Sequence, residues 1–423
     1  MANLILLAWY LGLPALLSFD YLSNSPFVEG ADSIPYIWSI SLYFWMLGNV
    51  MLGSKIPFVQ RMLPYDKRIR YHILASFGII LGFCIHFLTK FFMGKEIDLL
   101  AWTLLILVSS LFLLSAYWVR VPLLNVYRTL MAKLFRHQPD KIYDQTRVIH
   151  GILFPAASLL MFFHILESGI QDQGTWLSTW LYSVAFGLAA FVFVFAQVRK
   201  LFRAKGEVVE ISERQGVSII KIKPQRPLKY RAGQFAFISF PGHPGLGRSH
   251  PFSFLSSPGS ETMEEQNLWF AVKETGDFTK NIKDIKPGSK VTIDGSYGDF
   301  RPQKDEPTCL IGTGIGSVPI LSLLGEAASE KNFTYAIIGC DSKEDIPWIE
   351  ELHPELTSPE INVLEYKKTG QHLDEGALKQ LPGDIAKYRF YLCCSPKVRK
   401  SIMDKLLNLG VPKRQIVFEN FSF

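Results

Sequence analysis

Six apolar segments occupy most of the first 200 residues and constrain the fold more than any other feature. They lie at about 3–19, 35–53, 71–93, 99–119, 148–166 and 176–198. Each approaches the ~20 residues that an α-helix needs to cross the core of a bilayer. Pro14 and Pro155 interrupt two segments, which membrane helices tolerate because neighbouring groups satisfy the freed backbone. Six such runs would leave a soluble protein little polar surface, so the sequence predicts a six-span membrane domain over residues 1–200.

The positive charges between the segments predict the orientation of the chain. Fifteen Lys and Arg residues lie in 54–70, 120–147 and 199–205, whereas the opposite connections carry two, Lys90 and Lys95. Basic residues accumulate on the cytoplasmic side of a membrane. We therefore expect both termini and the polar second half to face the cytoplasm. These basic connections also account for the net charge of +6 without a role in nucleic-acid binding.

The first segment and the cysteines are informative about the compartment. The run MANLILLAWYLGLPALLSF has no basic stretch before its apolar part and no small-residue cleavage site, so we expect a retained first span. The five cysteines form no pair of C-x-x-C motifs, which argues against a zinc site. Four of them lie in the polar half, as is typical of a reducing compartment without disulfides.

Four histidines in the third and fifth segments share one spacing. His72 and His86 are 14 residues apart, and so are His150 and His164. On an α-helix this separation corresponds to ~21 Å of rise and about 40° short of four full turns. Because the two segments run in the same direction, His72 and His150 share a depth near the cytoplasmic side. His86 and His164 share a depth near the outer side.

Two facing imidazoles at one depth are suited to bind a haem iron axially, so the two pairs predict two haems. Histidine is costly in hydrocarbon and marks function there. A proton relay is the main alternative, but it needs acidic partners, and neither segment contains Asp or Glu. Arg70, Arg147 and Lys90 lie near the two depths. They suit haem propionates or an anionic product, and equally an anchor at the membrane interface.

From residue 206 the sequence changes to short alternating runs. These include GEVVEIS, VSIIKIK, QFAFISF, LWFAVK and KVTIDG. A period of two predicts an antiparallel β-barrel, which we assign to 206–303. Two clusters within it suit a flavin. The HPFS run at 250–253 offers a ring and a hydroxyl to the isoalloxazine. Lys273 and the turn at 276–280 offer a basic group and backbone N–H groups to a pyrophosphate.

Residues 304–423 alternate between strand-like and helix-like segments, which predicts a parallel sheet. The run TCLIGTGIGSVPILSLL joins an apolar strand to a glycine-rich turn and an apolar helix. Such a turn allows close backbone approach, and the N-terminus of the helix attracts phosphate. TYAIIG and RFYLCC are two further strands, and the second leads into Ser395-Pro396. We expect these turns to bind a nicotinamide nucleotide.

The order of these features resembles that of the NADPH oxidase and ferric reductase superfamily, especially its compact bacterial NADPH oxidases. The resemblance rests on the spaced histidines, RAGQFAFISF, HPFSF, VKETGDFTKNI, IGTGIGSVPI, CCSP and FENFSF. It implies a six-span haem domain followed by a ferredoxin-reductase-like module with a FAD-binding barrel and an α/β nucleotide domain. It further implies a bacterial plasma-membrane enzyme. Because no EF-hand loop or regulatory segment is visible, no obligatory activator subunit is expected.

The resemblance also implies the roles of individual residues. Iron ligands are His72, His86, His150 and His164. FAD ligands are His250, Pro251, Phe252, Ser253, Lys273 and Thr279, with a terminal aromatic, Phe421 or Phe423, over the flavin ring. NAD(P)H ligands are Gly312, Thr313, Gly314, Gly316, Pro319, Cys394 and Pro396.

Three positions depart from the family pattern. The histidines of the fifth segment are 14 apart where this family often has 13, and Pro155 lies between them. The family's Cys-Gly-Pro turn reads Cys-Ser-Pro. The segment after TYAIIG lacks the arginine commonly used for a 2′-phosphate. Ser342 and Lys343 are possible substitutes, whereas Asp341 favours a free ribose hydroxyl, so NADPH and NADH both stay open.

On this basis we expect an enzyme that passes electrons from cytosolic NAD(P)H through FAD and two b-type haems to oxygen on the outer side, which produces superoxide. Three alternatives stay open. The first is a ferric or other metal-chelate reductase with the same electron path. The second is an electron-transfer subunit that serves a quinone or an extracytoplasmic protein, and the third is a transporter without redox function.

Overall fold

The computed structural model of the chain describes residues 2–24, 33–56, 59, 63, 65–94, 96–116, 125–134, 139–167, 175–214, 216–258, 266–303, 306–330, 334–340, 361–367, 373, 375–379 and 381–419. The chain divides into two compact units, Met1–Val198 and Arg199–Phe423. The first is helical. The second contains the two β-sheets.

The first unit is built from helices, the last of which continues to the start of the second unit. They are α1 (Ala2–Leu7) and α2 (Leu13–Asn24), joined by a π-helical turn at Ala8–Gly12, then α3 (Ile34–Gly53), α4 (Tyr65–Phe92), α5 (Leu99–Ala116), α6 (Asn125–Leu134), α7 (Pro139–Ile165) and α8 (Trp176–Leu201). Pro35 lies in the first turn of α3, where its missing N–H costs nothing. Pro155 lies inside α7, which continues past it to Ile165.

Five stretches of the described helices are long and apolar enough to cross a membrane. They are Leu4–Asn24, Lys67–Phe92, Leu99–Ala116, Val148–Ile165 and Trp176–Leu201. The sixth predicted span, 35–53, forms α3 but does not reach this apolarity, because Ser, Asn, Tyr and Trp interrupt it. Five of the six predicted spans are therefore supported, and these helices indicate an integral membrane protein.

Helix α3 lies in the core of the helical unit. Its residues Leu42, Tyr43 and Phe44 are at most 1% exposed. The Tyr43 hydroxyl donates to the backbone oxygen of Tyr182 in α8 at 2.7 Å. A Cβ on Gly82 of α4 would lie 2.6 Å from Leu42 Cδ2, so glycine allows α4 to approach α3 closely. Burial therefore compensates for the modest apolarity of α3, because its polar groups face protein instead of lipid.

The second unit begins with six antiparallel strands and a short helix. These are β1 (Ala204–Arg214), β2 (Val217–Pro224), β3 (Phe235–Ser239), β4 (His250–Ser253), β5 (Leu268–Lys273), α9 (Asp277–Asn281) and β6 (Lys290–Tyr297). The strand order is β4-β3-β6-β1-β2-β5, and a bridge between Phe254 and Phe270 joins the two edges. The sheet thus curls into the predicted antiparallel barrel.

The remainder of the second unit is a five-stranded parallel sheet with helices. Its elements are β7 (Thr308–Thr313), α10 (Ser317–Ser329), β8 (Thr334–Cys340), β9 (Ile361–Lys367), α11 (Glu375–Lys379), β10 (Arg389–Cys393), α12 (Pro396–Asn408) and β11 (Ile416–Phe418). The strand order is β11-β10-β7-β8-β9, and every pair is parallel. This confirms the predicted parallel sheet. Since β7 and β10 are neighbours, the turns that follow them meet at one edge.

A tight turn before β3 fixes the barrel against α10. Gly233 has φ +77°, and a Cβ there would collide with the carbonyl oxygen of Phe300. The Gln234 side chain closes the turn, because its oxygen accepts from Arg231 N at 2.9 Å and its amide donates to Gly298 O at 3.0 Å. The RAGQ motif is thus required for the geometry of this turn.

We predict that Gly233→Ala destabilises the reductase module more than Gly216→Ala. Gly216 has φ +74° but open surroundings, so alanine there adds only backbone strain of about 1 kcal/mol. At position 233 the collision with Phe300 adds to the same strain. Thermal denaturation of the full chain, followed by flavin fluorescence, measures both losses. Equal losses would contradict a packing role for Gly233.

Candidate functional site

The two histidines near one end of the helix pair face each other across a cavity. The ring centres of His72 in α4 and His150 in α7 are 6.3 Å apart, and the rings are inclined by 71°. Two imidazoles that bind one metal ion at about 2 Å each place their ring centres roughly 6 Å apart. Asn49 and Ser115 line the same cavity, whose walls are otherwise largely apolar. The donor set and its spacing therefore fit a bis-histidine haem.

Helix α3 holds the second ring nitrogen of both α4 histidines. His72 Nδ1 lies 3.2 Å from the backbone oxygen of Asn49, and His86 Nδ1 lies 2.9 Å from that of Pro35. A metal-binding histidine usually donates its other N–H to such a carbonyl. Each contact leaves Nε2 as the nitrogen available to iron. Glycine at position 53 leaves room for the His72 ring, since a Cβ there would lie 3.3 Å from His72 Cε1.

The other two histidines, His86 and His164, form the second pair that the sequence predicts. His86 and His164 line one cavity together with Phe83, Lys90 and Met161. His164 is buried, with 5% of its surface exposed. The structure thus brings together both predicted pairs, 72 with 150 and 86 with 164. Binding of a haem by either pair stays a prediction.

The three cationic residues singled out near the histidines differ in placement. Lys90 lies on the outer cavity, four residues after His86. Arg70 is exposed. The side chain of Arg147 lies outside the described part of the structure. Of the three, Lys90 is therefore the one that the structure places at a histidine pair.

The predicted flavin residues form one aromatic cluster on the barrel. Phe252 stacks on Phe278 of α9 with ring centres 5.9 Å apart, and the His250 ring lies 4.0 Å from Phe278. Ser253 is buried, while Pro251 is partly exposed. The HPFS run and the GDFTK turn are thus in contact. Stacked rings beside a hydroxyl suit an isoalloxazine ring, so these residues fit a flavin.

The turn that carries Thr279 is held by its own hydroxyl. Thr279 Oγ1 accepts from the backbone N–H groups of Thr275 and Gly276 at 2.8 and 2.9 Å and donates to Gly276 O at 2.9 Å. We expected this hydroxyl on the flavin phosphates, but its hydrogen bonds in the structure shape the turn. Lys273, at the end of β5, is exposed and thus available to a phosphate.

The glycine-rich turn after β7 depends on two close approaches and one positive φ angle. A Cβ on Gly316 would collide with the carbonyl oxygen of Cys393, and one on Gly312 would lie 2.8 Å from Ser317 Cα. Gly314 has φ +55° and is exposed. The Ser317 hydroxyl is buried at the start of α10 and has no hydrogen-bond partner among the described residues. Exposed backbone at a helix N-terminus fits a nucleotide phosphate.

The remaining predicted nucleotide residues surround this turn. Thr313 ends β7 and is partly exposed, whereas Pro319 is buried in the first turn of α10. Cys394 is half-buried, and burial raises the pKa of its thiol to about 11 against the opposing effect of Arg399. Pro396 begins α12. The turns after β7 and β10 are therefore side by side, as predicted. Asp341, Ser342 and Lys343 lie outside the described residues.

The end of the chain returns to the barrel. Glu419 N donates to Leu392 O at 3.3 Å, and Glu419 Oε1 would lie 3.4 Å from a Cβ on Gly298. Gly298 in turn lies against Phe235, which pairs with Ser253. Glu419 thus lies between the turns that follow β7 and β10 and the aromatic cluster of the barrel. Burial raises the pKa of the Cys393 thiol, and the negative charge of Glu419 raises it further. Phe421 and Phe423 lie outside the described residues.

Sequence reasoning missed several residues at these sites. Phe278 was visible as part of GDFTK, yet its contact with Phe252 needs the fold. Glu419 lies in the FENFSF run, but only the phenylalanines of that run were predicted to have a role. No sequence signal marked Asn49, Pro35 or Ser115. Asn49 and Pro35 act through backbone oxygens, and Ser115 is one serine among several.

Comparison with known proteins identifies relatives of both units. A family model described as an FAD-binding domain matches residues 201–309. Respiratory burst oxidase homolog protein B of Arabidopsis thaliana is 20% identical over 346 residues, which cover 64% of this chain and 38% of that protein. Dual oxidase 1 of Rattus norvegicus is 22% identical over 342 residues, which cover 70% of this chain and 20% of that protein. These matches support the NADPH oxidase and ferric reductase superfamily.

Other relatives match the reductase module of the chain. The ferredoxin–NAD(P)+ reductase component of the naphthalene 1,2-dioxygenase system of Pseudomonas putida is 25% identical over 236 residues, which cover 51% of this chain and 68% of that protein. The ferredoxin reductase of carbazole 1,9a-dioxygenase aligns with a TM-score of 0.44 and 20% identity, over 52% of this chain and 69% of that one. The chain spans well under half the length of the oxidases it matches.

We predict that Gly316→Ala weakens NAD(P)H binding by at least roughly tenfold, or about 1.4 kcal/mol, because the added methyl group displaces the turn from Cys393. Gly383→Ala, outside the glycine-rich turn, is the matched control. It adds backbone strain at φ +77°, but nothing lies within 4 Å of its Cβ. Flavin content should stay unchanged in both. Titration of flavin reduction against NADPH and NADH measures the loss, and equal affinity of the two variants would argue against the close approach.

Proposed function

We propose that this chain is an integral membrane oxidoreductase that carries electrons from cytosolic NAD(P)H to oxygen on the opposite side, where superoxide forms. The observation that carries the proposal is the pair of facing histidines at two depths, in a chain whose second unit has a ferredoxin-reductase-like fold. When bound, FAD accepts hydride and releases single electrons, and each bis-histidine haem b carries one.

The residues of the reductase module orient the electron donor. The turn at 312–316 and the N-terminus of α10 would hold the nucleotide phosphates, and the choice between NADPH and NADH stays open. Cys394 and Pro396 lie beside this turn, toward the nicotinamide. The aromatic cluster of Phe252 and Phe278 would hold the flavin ring, with the Ser253 hydroxyl available to its edge.

The residues of the helical unit define how the acceptor reacts. If each histidine pair holds one haem iron, both histidines would serve as its ligands, and oxygen would take its electron without bonding the metal. The cavity of His86 and His164 would be filled by the haem itself, and Lys90 lines it as a cation. The short connections predicted on the outer side of the membrane favour a small acceptor over a bulky metal chelate. Lys90 then stabilises the superoxide anion that is formed.

The topology follows from the charge distribution of the sequence. With the basic connections on the cytoplasmic side, both termini and the reductase module face NAD(P)H, and His86 and His164 lie toward the outer surface. We place the protein in a plasma membrane, as for the compact bacterial oxidases that the sequence resembles.

The haem assignment predicts a specific loss in His164→Ala. This variant should lose one of two haems per chain and keep its flavin and its NAD(P)H-dependent flavin reduction, because the iron loses one axial ligand. His243→Ala, in a turn of the barrel, is the control and should keep both haems. Pyridine haemochrome analysis measures the ratio of haem to protein. Retention of both haems in His164→Ala would refute the ligand assignment.

The proposed acceptor predicts that superoxide accounts for most of the electron flow in air. Cytochrome c reduction by the purified chain with NADPH should be largely abolished by superoxide dismutase. Anaerobic reduction of ferric chelates should be at least roughly tenfold slower, since short outer connections leave little room for a chelate at the haem edge. Faster anaerobic Fe(III) reduction would instead identify a metal-chelate reductase with the same electron path.

A further inference from the structure

Ser115 is the side-chain partner of one of the four histidines. It lies in the last turn of α5, and its Oγ is 3.0 Å from His150 Nδ1. It also lines the cavity that His72 and His150 share. Phe154, one turn further along α7, stacks on the His150 ring at 5.8 Å with an angle of 15°. The imidazole is thus held on its face by Phe154 and at its edge by Ser115.

The direction of this hydrogen bond follows from the chemistry of imidazole. A neutral histidine that binds iron through Nε2 carries its proton on Nδ1. The Nδ1–H group of His150 therefore donates, and the Ser115 hydroxyl accepts. Donation of this kind makes the imidazole a stronger electron donor to the metal and favours the ferric form.

We propose that Ser115 is a positioning residue for the cytoplasmic-side haem, which fixes the His150 ring and lowers the reduction potential of that haem through the Nδ1 hydrogen bond. The inference rests on the proposed function, since it assumes that His72 and His150 bind haem. A lower potential at the first haem favours passage of the electron to the second. A hydrogen bond to the outer nitrogen of an iron-binding histidine is one of the means by which a protein sets haem potential.

The contacts of the two α4 histidines differ in kind from the contact between Ser115 and His150. His72 and His86 are both held by backbone carbonyls of α3, at Asn49 and Pro35. Backbone carbonyls cannot be changed by substitution, and they act in a similar way at the two levels. The contact with Ser115 is a side-chain contact at one level. It therefore allows the potential of one haem to be set separately from that of the other.

Redox titration of Ser115→Ala in the full-length protein tests this inference. Alanine removes the acceptor from His150 Nδ1, so we expect the midpoint potential of one haem to shift positively while that of the other stays constant. Haem affinity at the shifted site should fall by about tenfold or more. Ser115→Thr keeps a hydroxyl and should retain the original potentials. Ser110→Ala, on the same helix but not lining either histidine cavity, is the matched control.

The His164→Ala background assigns the shift to one level. This variant keeps the haem of His72 and His150, so its single titration step should move when Ser115→Ala is added. If Ser115→Ala alone loses that haem, Ser115→Cys offers a weaker acceptor of similar size and should show a smaller positive shift. Unchanged potentials with the haem bound would overturn the inference. Absence of haem from the unsubstituted protein would instead overturn the proposed function.

Discussion

The structure depends on hydrogen bonds that hold imidazoles buried among apolar helices, at Nδ1 of His72, His86 and His150. Three helices share the same separation of 14 residues between the groups involved. The pairs are His72 and His86 on α4, His150 and His164 on α7, and Pro35 and Asn49 on the antiparallel α3. Each separation corresponds to ~21 Å along a helix. Because the three separations match, α4 and α7 can face each other at two depths while α3 supplies a carbonyl to His72 and to His86.

This arrangement explains why α3 is the least lipid-like of the six predicted spans. A helix that offers carbonyls and side-chain amides to its neighbours has to lie inside the bundle, and its Asn49 amide donates to Ser76 Oγ of α4 at 2.9 Å. In the reductase module, close packing depends on glycines. Gly233 and Gly316 let backbone segments approach where any side chain would collide, and so bring the barrel against α10 and the turn of β7 against the end of β10.

Much of this could be predicted from the sequence, because the dominant signals are periodic. Apolar length predicted the helices, alternation predicted β1, β2, β3, β5 and β6, and strand–helix order predicted the parallel sheet. Hydropathy was less decisive for α3, since burial in protein replaces burial in lipid there. At the sites, the spacing of 14 predicted which histidines would face each other. The contact of Phe278 with Phe252 arises from tertiary packing, which no local pattern encodes. The hydrogen bonds of the Thr279 hydroxyl are local, but a threonine in such a turn is equally suited to a phosphate, so the sequence does not distinguish the two roles. The terminal aromatics and the segment at 341–343 stay predictions.

The central claim is that each histidine pair closes both axial positions of a haem iron. Carbon monoxide tests it directly, because it binds ferrous haem that has an open or weakly held axial position. The account predicts two haems per chain in the purified protein, with a dithionite-reduced spectrum that carbon monoxide leaves unchanged. A carbon-monoxide-shifted Soret band, or fewer than two haems in the fully loaded protein, would contradict it.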